Sequence, residues 1–207
     1  MAASRPHSFA DKVNPGHTAV LAIDLQRDFF APGGVIELMG DDPAPLRAML
    51  PRLNAFLAAA RKLARLTVFT KQAYAPELRS PVVEEHQARC GMKRPYHRED
   101  EDFYGVEPAP GDIILPKNRY SAFVGTPLDM MLRANRVTTL VLTGVATNVC
   151  VESTARQAYM LDYYVVVIRD LTGGVNEEAH QASLQNIDRY FGQVVDAAEL
   201  LAAWQTD

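Results

Sequence analysis

Residues 137–161 leave this chain few ways to fold. Thr138 to Thr143 is a β-branched, apolar run, the pattern of a strand buried in a parallel sheet. Gly144 ends it, and Thr147 or Asn148 is placed to cap the helix that follows. That helix carries Val151, Ala155, Ala158, Tyr159 and Leu161. Cys150 is therefore expected in its first turn, facing unpaired backbone N–H groups and the positive end of the helix dipole. Both favour the thiolate, the reactive form of the side chain. On the local pattern alone, Cys150 reads more readily as a small core hydrophobe than as a nucleophile.

The rest of the chain repeats the strand-then-helix pattern. Residues 18–24 are an apolar run that ends in Asp24, and ligands of open α/β sheets bind beyond that end of a strand. Alone, Asp24 reads more readily as the cap of a turn than as a site residue. Phe29 and Phe30 follow in a loop, one suited to the core and the other to a pocket wall. Residues 44–64 place Leu46, Leu50, Leu53, Phe56, Leu57, Ala60 and Leu63 at helical spacing, with Pro51 expected to break the helix or start a second segment. Leu66 to Thr70 reads as a second strand and Asp112 to Pro116 as a third, with Lys117 directly after it. Thr126 and Pro127 resemble the start of a helix reaching about Ala134. Tyr164 to Ile168 and Gln193 to Val195 complete the strands, separated by a helix from about Asn176 to Tyr190 and followed by a closing helix over 197–204. About six strands alternating with helices imply a parallel sheet covered on both faces. Asp24, Lys117 and Cys150 each follow a different strand, so such a fold gathers them at one edge of the sheet.

Composition narrows the function. The chain has 207 residues, enough for one substantial core, and is read as a single domain over 1–207. Its net charge of −4 gives no footprint for nucleic acid or an anionic membrane, and no apolar run is long enough to span a bilayer. Residues 1–17 show no signal-peptide pattern. Cys90 and Cys150 are the only cysteines, so a disulfide framework is not expected and a cytoplasmic location is. Residues 75–112 are irregular. They hold His86, Cys90 and His97, whose spacing matches no tight zinc pattern, and an acidic run Glu99 to Asp102 that reads as a solvated loop.

Three motifs carry a resemblance. They are Ala22-Ile23-Asp24-Leu25-Gln26-Arg27-Asp28-Phe29, then Leu115-Pro116-Lys117-Asn118-Arg119-Tyr120-Ser121-Ala122-Phe123, then Thr143-Gly144-Val145-Ala146-Thr147-Asn148-Val149-Cys150-Val151. In this order they resemble the cysteine hydrolases of the isochorismatase-like superfamily. The resemblance implies a three-layer α/β/α sandwich with a six-stranded parallel sheet, Rossmann-like in plan. It implies catalytic roles for Asp24, Lys117 and Cys150. It also implies an oxyanion hole from the backbone N–H groups of Ala146 and Cys150, with a cis peptide at Val145–Ala146. The stretch from Asp112 through Asp170 is most similar to the ureidoacrylate amidohydrolase and biuret hydrolase branch, whose members cleave a carbamoyl C–N bond. The vinyl-ether hydrolases of the superfamily lack the cysteine. Its nicotinamidases carry a metal-binding Asp-x-His after the second strand, where this chain has Lys71-Gln72-Ala73-Tyr74. Neither a metal nor another cofactor is therefore expected.

The implied reaction is hydrolysis of a small amide or ureide. Asp24 is the general base, Lys117 favours the anions, and Cys150 attacks the carbonyl carbon and passes through a covalent acyl- or carbamoyl-enzyme, releasing ammonia. Gln26, Phe29 and Tyr120 are the pocket candidates, and residues 75–112 are expected to cover the pocket. A homo-oligomer, dimer or tetramer, is implied as well. The competing readings are an amidase acting on maleamate, an N-carbamoyl amino acid or a nicotinamide-like amide; vinyl-ether hydrolysis with no covalent step; and a catalytically silent binding protein.

Overall fold

A computed structural model describes residues 8–73, 75–92, 98–174 and 176–205. Six strands form one sheet: β1 (Thr18–Ile23), β2 (Leu66–Gln72), β3 (Ile113–Lys117), β4 (Thr139–Val145), β5 (Tyr164–Gly173) and β6 (Gln193–Val195). Their order is β3-β2-β1-β4-β5-β6 and every pairing is parallel. The helices are α1 (Phe9–Lys12), α2 (Arg27–Phe30), α3 (Val35–Leu38), α4 (Ala44–Leu63), α5 (Pro81–Arg89), α6 (Leu128–Ala134), α7 (Glu152–Met160), α8 (Glu177–Tyr190) and α9 (Ala197–Gln205).

Alternate residues of the central strands feed two cores. Val20 and Ala22 of β1, Val141 of β4 and Val166 of β5 pack with Leu46, Leu53 and Leu57 of α4 and with Leu200 and Trp204 of α9. Ala19, Leu21 and Ile23 of β1, with Leu140 and Leu142 of β4, face the other way. They meet Leu128 and Leu132 of α6, Ala155 and Ala158 of α7, and Leu184 and Ile187 of α8. This is the three-layer sandwich that the strand pattern predicts, and every residue of β1 and β4 is buried, as a doubly covered parallel strand requires. The order reverses between β1 and β4, which is the switch point where doubly wound sheets open a crevice at their carboxyl ends.

Some elements depart from the sequence reading. α4 runs unbroken through Pro51. The proline lacks one N–H, but Leu46, Met49 and Leu50 before it and Leu53, Phe56, Leu57 and Ala60 after it are all buried on the sheet, so packing holds both halves in register. β5 extends to Gly173, past Ile168. Lys117 is the last residue of β3 rather than the first beyond it. The irregular stretch contains α5, and Arg98–Glu101 form a 3₁₀ turn in which Glu101 pairs with Lys71 at 3.5 Å rather than standing free in solvent. Tyr74 and His97 lie outside the described residues.

Candidate active site

The carboxyl ends of β1, β3 and β4 deliver Asp24, Lys117 and Cys150 to one buried point. Asp24 is the first residue after β1 and takes a left-handed backbone conformation with φ of 52°, a region that aspartate tolerates better than most residues. Its backbone N–H donates to the Thr70 hydroxyl at 3.1 Å, and that hydroxyl donates to Asp24 Oδ1 at 2.6 Å. The other oxygen, Oδ2, lies 2.7 Å from Lys117 Nζ. Both side chains of this ion pair are shielded completely from solvent. Oδ2 has no aligned hydrogen bond, which leaves a lone pair free to take a proton.

Lys117 reaches across β2 from the edge strand. Its ammonium donates to Gln72 Oε1 at 3.1 Å, to the Arg119 carbonyl at 3.0 Å and to Cys150 Sγ at 3.5 Å. Burial alone would lower the Lys117 pKa, but Asp24 and Cys150 outweigh it and hold the group above its usual 10.5. The cation is thus fixed as an ammonium between a carboxylate and a sulfur.

Cys150 corrects one expectation from the sequence. Neither Thr147 nor Asn148 caps a helix. Thr147–Val151 form a π-type turn whose start, Ala146, has no side-chain cap, and α7 begins only at Glu152. Burial, and then the neighbouring Asp24 carboxylate, push the thiol above its ordinary 9.0, with Lys117 opposing them. Cys150 therefore rests as a thiol, and its activation requires a base rather than a helix dipole. Single π turns recur where a side chain must be aimed. Here the Ala146 carbonyl accepts the N–H groups of Val149 at 3.0 Å and Val151 at 3.2 Å, which closes the turn around Cys150. The Cys150 carbonyl accepts the Thr154 hydroxyl at 2.7 Å, and Thr154 Oγ1 accepts the Ala122 N–H at 3.1 Å, tying the turn to the loop after Lys117. The Val145–Ala146 peptide is cis. Ala146 and Cys150 keep 8% and 5% of their surface accessible.

The pocket candidates fall in different places. The Gln26 amide is committed to backbone: it donates to the carbonyls of Gln72 at 3.0 Å and Glu101 at 3.2 Å and accepts the Gln72 N–H at 2.7 Å. It thereby braces Gln72 at the end of β2, the residue paired with Lys117. Phe30 is wholly buried against Tyr104, and Phe29 is the partly exposed member of the pair. Tyr120 is half exposed, and its hydroxyl is raised above 10.0 by burial and then by the sulfurs of Cys150 and Cys90. Cys90 is exposed, with Sγ 3.8 Å from His86 Nε2. Among the described residues, no three His, Cys, Asp or Glu side chains gather as a metal site would need.

Sequence reasoning missed Thr70, Gln72 and the Arg119 carbonyl. The available signal was spacing: Thr70 and Gln72 lie two apart on β2, hence on one face, at the carboxyl end of the strand between β1 and β3.

Fold and site together define a doubly wound α/β protein whose acid, amine and thiol converge at the switch point. Residues 18–199 match the isochorismatase domain, so the chain belongs to the isochorismatase family and is a hydrolase of that family. Its fold is similar to an isochorismatase-like hydrolase from Alkaliphilus metalliredigens, with TM-score 0.74, 27% identity and 91% and 98% of the two chains covered. It is also similar to a cysteine hydrolase from Pseudomonas syringae pv. phaseolicola, with TM-score 0.79, 24% identity and 100% and 99% covered. A nicotinamidase from Bacillus subtilis matches with TM-score 0.72, 25% identity and 86% and 98% covered.

Proposed function

We propose that this chain hydrolyses the C–N bond of a small ureide or carbamoyl amide, of the biuret or ureidoacrylate kind, through a covalent intermediate on Cys150. The observation that carries the reading is the position of Lys117 Nζ, 2.7 Å from Asp24 Oδ2 and 3.5 Å from Cys150 Sγ in a buried cluster. The Cys150 proton passes to Asp24 as sulfur bonds to the carbonyl carbon. The Lys117 ammonium stabilises the negative charge that would otherwise build on sulfur. The carbonyl oxygen becomes an oxyanion, for which the backbone N–H groups of Ala146 and Cys150 are the donors, each worth about 3–4 kcal/mol of barrier. Collapse breaks the C–N bond, and Asp24 returns the proton to the nitrogen, which leaves as ammonia. Asp24 then takes a proton from water, whose oxygen attacks the S-carbamoyl or S-acyl carbon. The C–S bond breaks, and the sulfur regains its proton. A thiol that rests protonated beside a carboxylate suits this proton shuttle. The presence of a nicotinamidase among the similar structures supports amide hydrolysis as the reaction type.

A substrate panel tests the reading. Ammonia release is expected to be fastest with biuret or ureidoacrylate, slower with maleamate, N-carbamoyl amino acids and nicotinamide. Faster turnover of any of those three, or of the isochorismate vinyl ether, would overturn the biuret or ureidoacrylate assignment.

A further inference from the structure

His180 lies in the first turns of α8, outside the catalytic cluster, and is only 8% exposed. Its Nδ1 is 2.8 Å from the hydroxyl of Thr147, which is completely buried. Thr147 opens the π-type turn that ends at Val151 and holds Cys150. Gly174 packs against the base of the side chain: a Cβ built on it would stand 3.0 Å from His180 Cβ. Burial lowers the His180 pKa below 6.5 against the opposing charge of Glu177, so the ring is neutral at neutral pH.

Docking of α8 does not require this bond. Leu184 and Ile187 already bury against the sheet. Ser183 donates to Glu152 Oε2, and Asn186 donates to Glu152 Oε1 at 3.0 Å, binding α8 to α7. What the His180–Thr147 bond adds is a fixed point on the turn itself, three residues before the sulfur.

We infer that His180 is a positioning residue: through its Nδ1 contact with the Thr147 hydroxyl, it sets the register of the turn that aims the Cys150 sulfur and the Cys150 backbone N–H. The inference rests on Cys150 being the nucleophile. A displaced turn carries sulfur and donor together, so the loss falls on the chemical step rather than on substrate binding. Misplacement on this scale costs about 10- to 100-fold in rate.

The test uses His180→Ala, His180→Asn, Thr147→Val and the His180→Ala/Thr147→Val pair, each checked for folding by thermal melts. His180→Ala and Thr147→Val are each expected to lower kcat about 10- to 100-fold with KM nearly unchanged. The double variant should be no worse than the poorer single variant. His180→Asn, whose amide can occupy the Nδ1 position, should recover most of the rate. Unchanged kcat, losses that multiply in the pair, or no recovery with asparagine would each overturn the inference. Should His180→Ala fail to fold, the contrast of Thr147→Val with Thr147→Ser decides in the same way: serine keeps the hydroxyl and should keep the rate. The alkylation rate of Cys150 by iodoacetamide separates this inference from the proposed function. If the wild-type protein hydrolyses no amide, the functional reading fails. Slower alkylation in His180→Ala still sustains the positioning role, and an unchanged rate refutes it.

Discussion

At the scale of the residue, the decisive fact is that a lysine, an aspartate and a cysteine share one buried point and that the charges sit on only two of them. Cys150, raised above 9.0, holds its proton in the folded chain and loses it in the unfolded one. The folded state then binds more protons than the unfolded state above that pH, so stability falls as pH rises, by about 1.4 kcal/mol per pH unit once the group is fully engaged. Tyr120 and Tyr163, raised above 10.0, and Lys117, raised above 10.5, act with the same sign but only at higher pH. Urea unfolding followed across the alkaline range should therefore show stability falling between pH 9.0 and 10.0 in the wild-type protein and a flat course there in Cys150→Ala. Stability that is level or rising in the wild type over that interval would refute the protonated thiol. Asp24 and Lys117 were legible in the sequence because each polar side chain closes an apolar strand run, whereas Cys150, five residues beyond β4, stood out only through the convergence of strand ends and the resemblance. The state of the sulfur was not legible, because nothing in the order of residues shows that Asp24 lies beside it.

At the scale of the element, the join between β4 and the π-type turn bears the tightest constraint. Gly144 has φ of 101°, and a Cβ there would come within 2.1 Å of the Ile23 carbonyl oxygen and 2.7 Å of the Ile23 nitrogen on β1. These are backbone atoms of the central strand pair and cannot step aside. Gly144→Ala should cost about 4 kcal/mol or more, counting both strain and clash, as read from the shift in denaturant midpoint. A cost below about 1 kcal/mol would mean that the two strands part more easily than the structure shows. The glycine was readable as a strand end, but not as a contact, since its partner lies 121 positions earlier in the sequence. Elements were legible where periodicity was long, as in α4 and α8. α5 was missed because none of its residues is buried, so no apolar stripe marks it. The π-type turn was read as a capped helix because a Thr-Asn pair before an apolar run carries the same residue types whether or not either side chain caps.

At the scale of the whole molecule, the arrangement depends on strand order more than on any single contact. The order β3-β2-β1-β4-β5-β6 sets β1 beside β4 and leaves β3 two strands from β1. Asp24 and Cys150 therefore approach from adjacent strands, and only a side chain as long as lysine reaches them from β3. Among the described residues no helix is long and apolar enough to cross a membrane. The alternation of strands and helices made the layers readable from the sequence; the order of strands followed only from the structure. Everything proposed about the reaction requires that the sulfur brought to this junction form the covalent bond. Steady-state ammonia release by purified, folded Cys150→Ala, on the best substrate of the panel, tests that most directly. The account predicts a loss of about 10⁴-fold or more in kcat; turnover at the wild-type rate would contradict it.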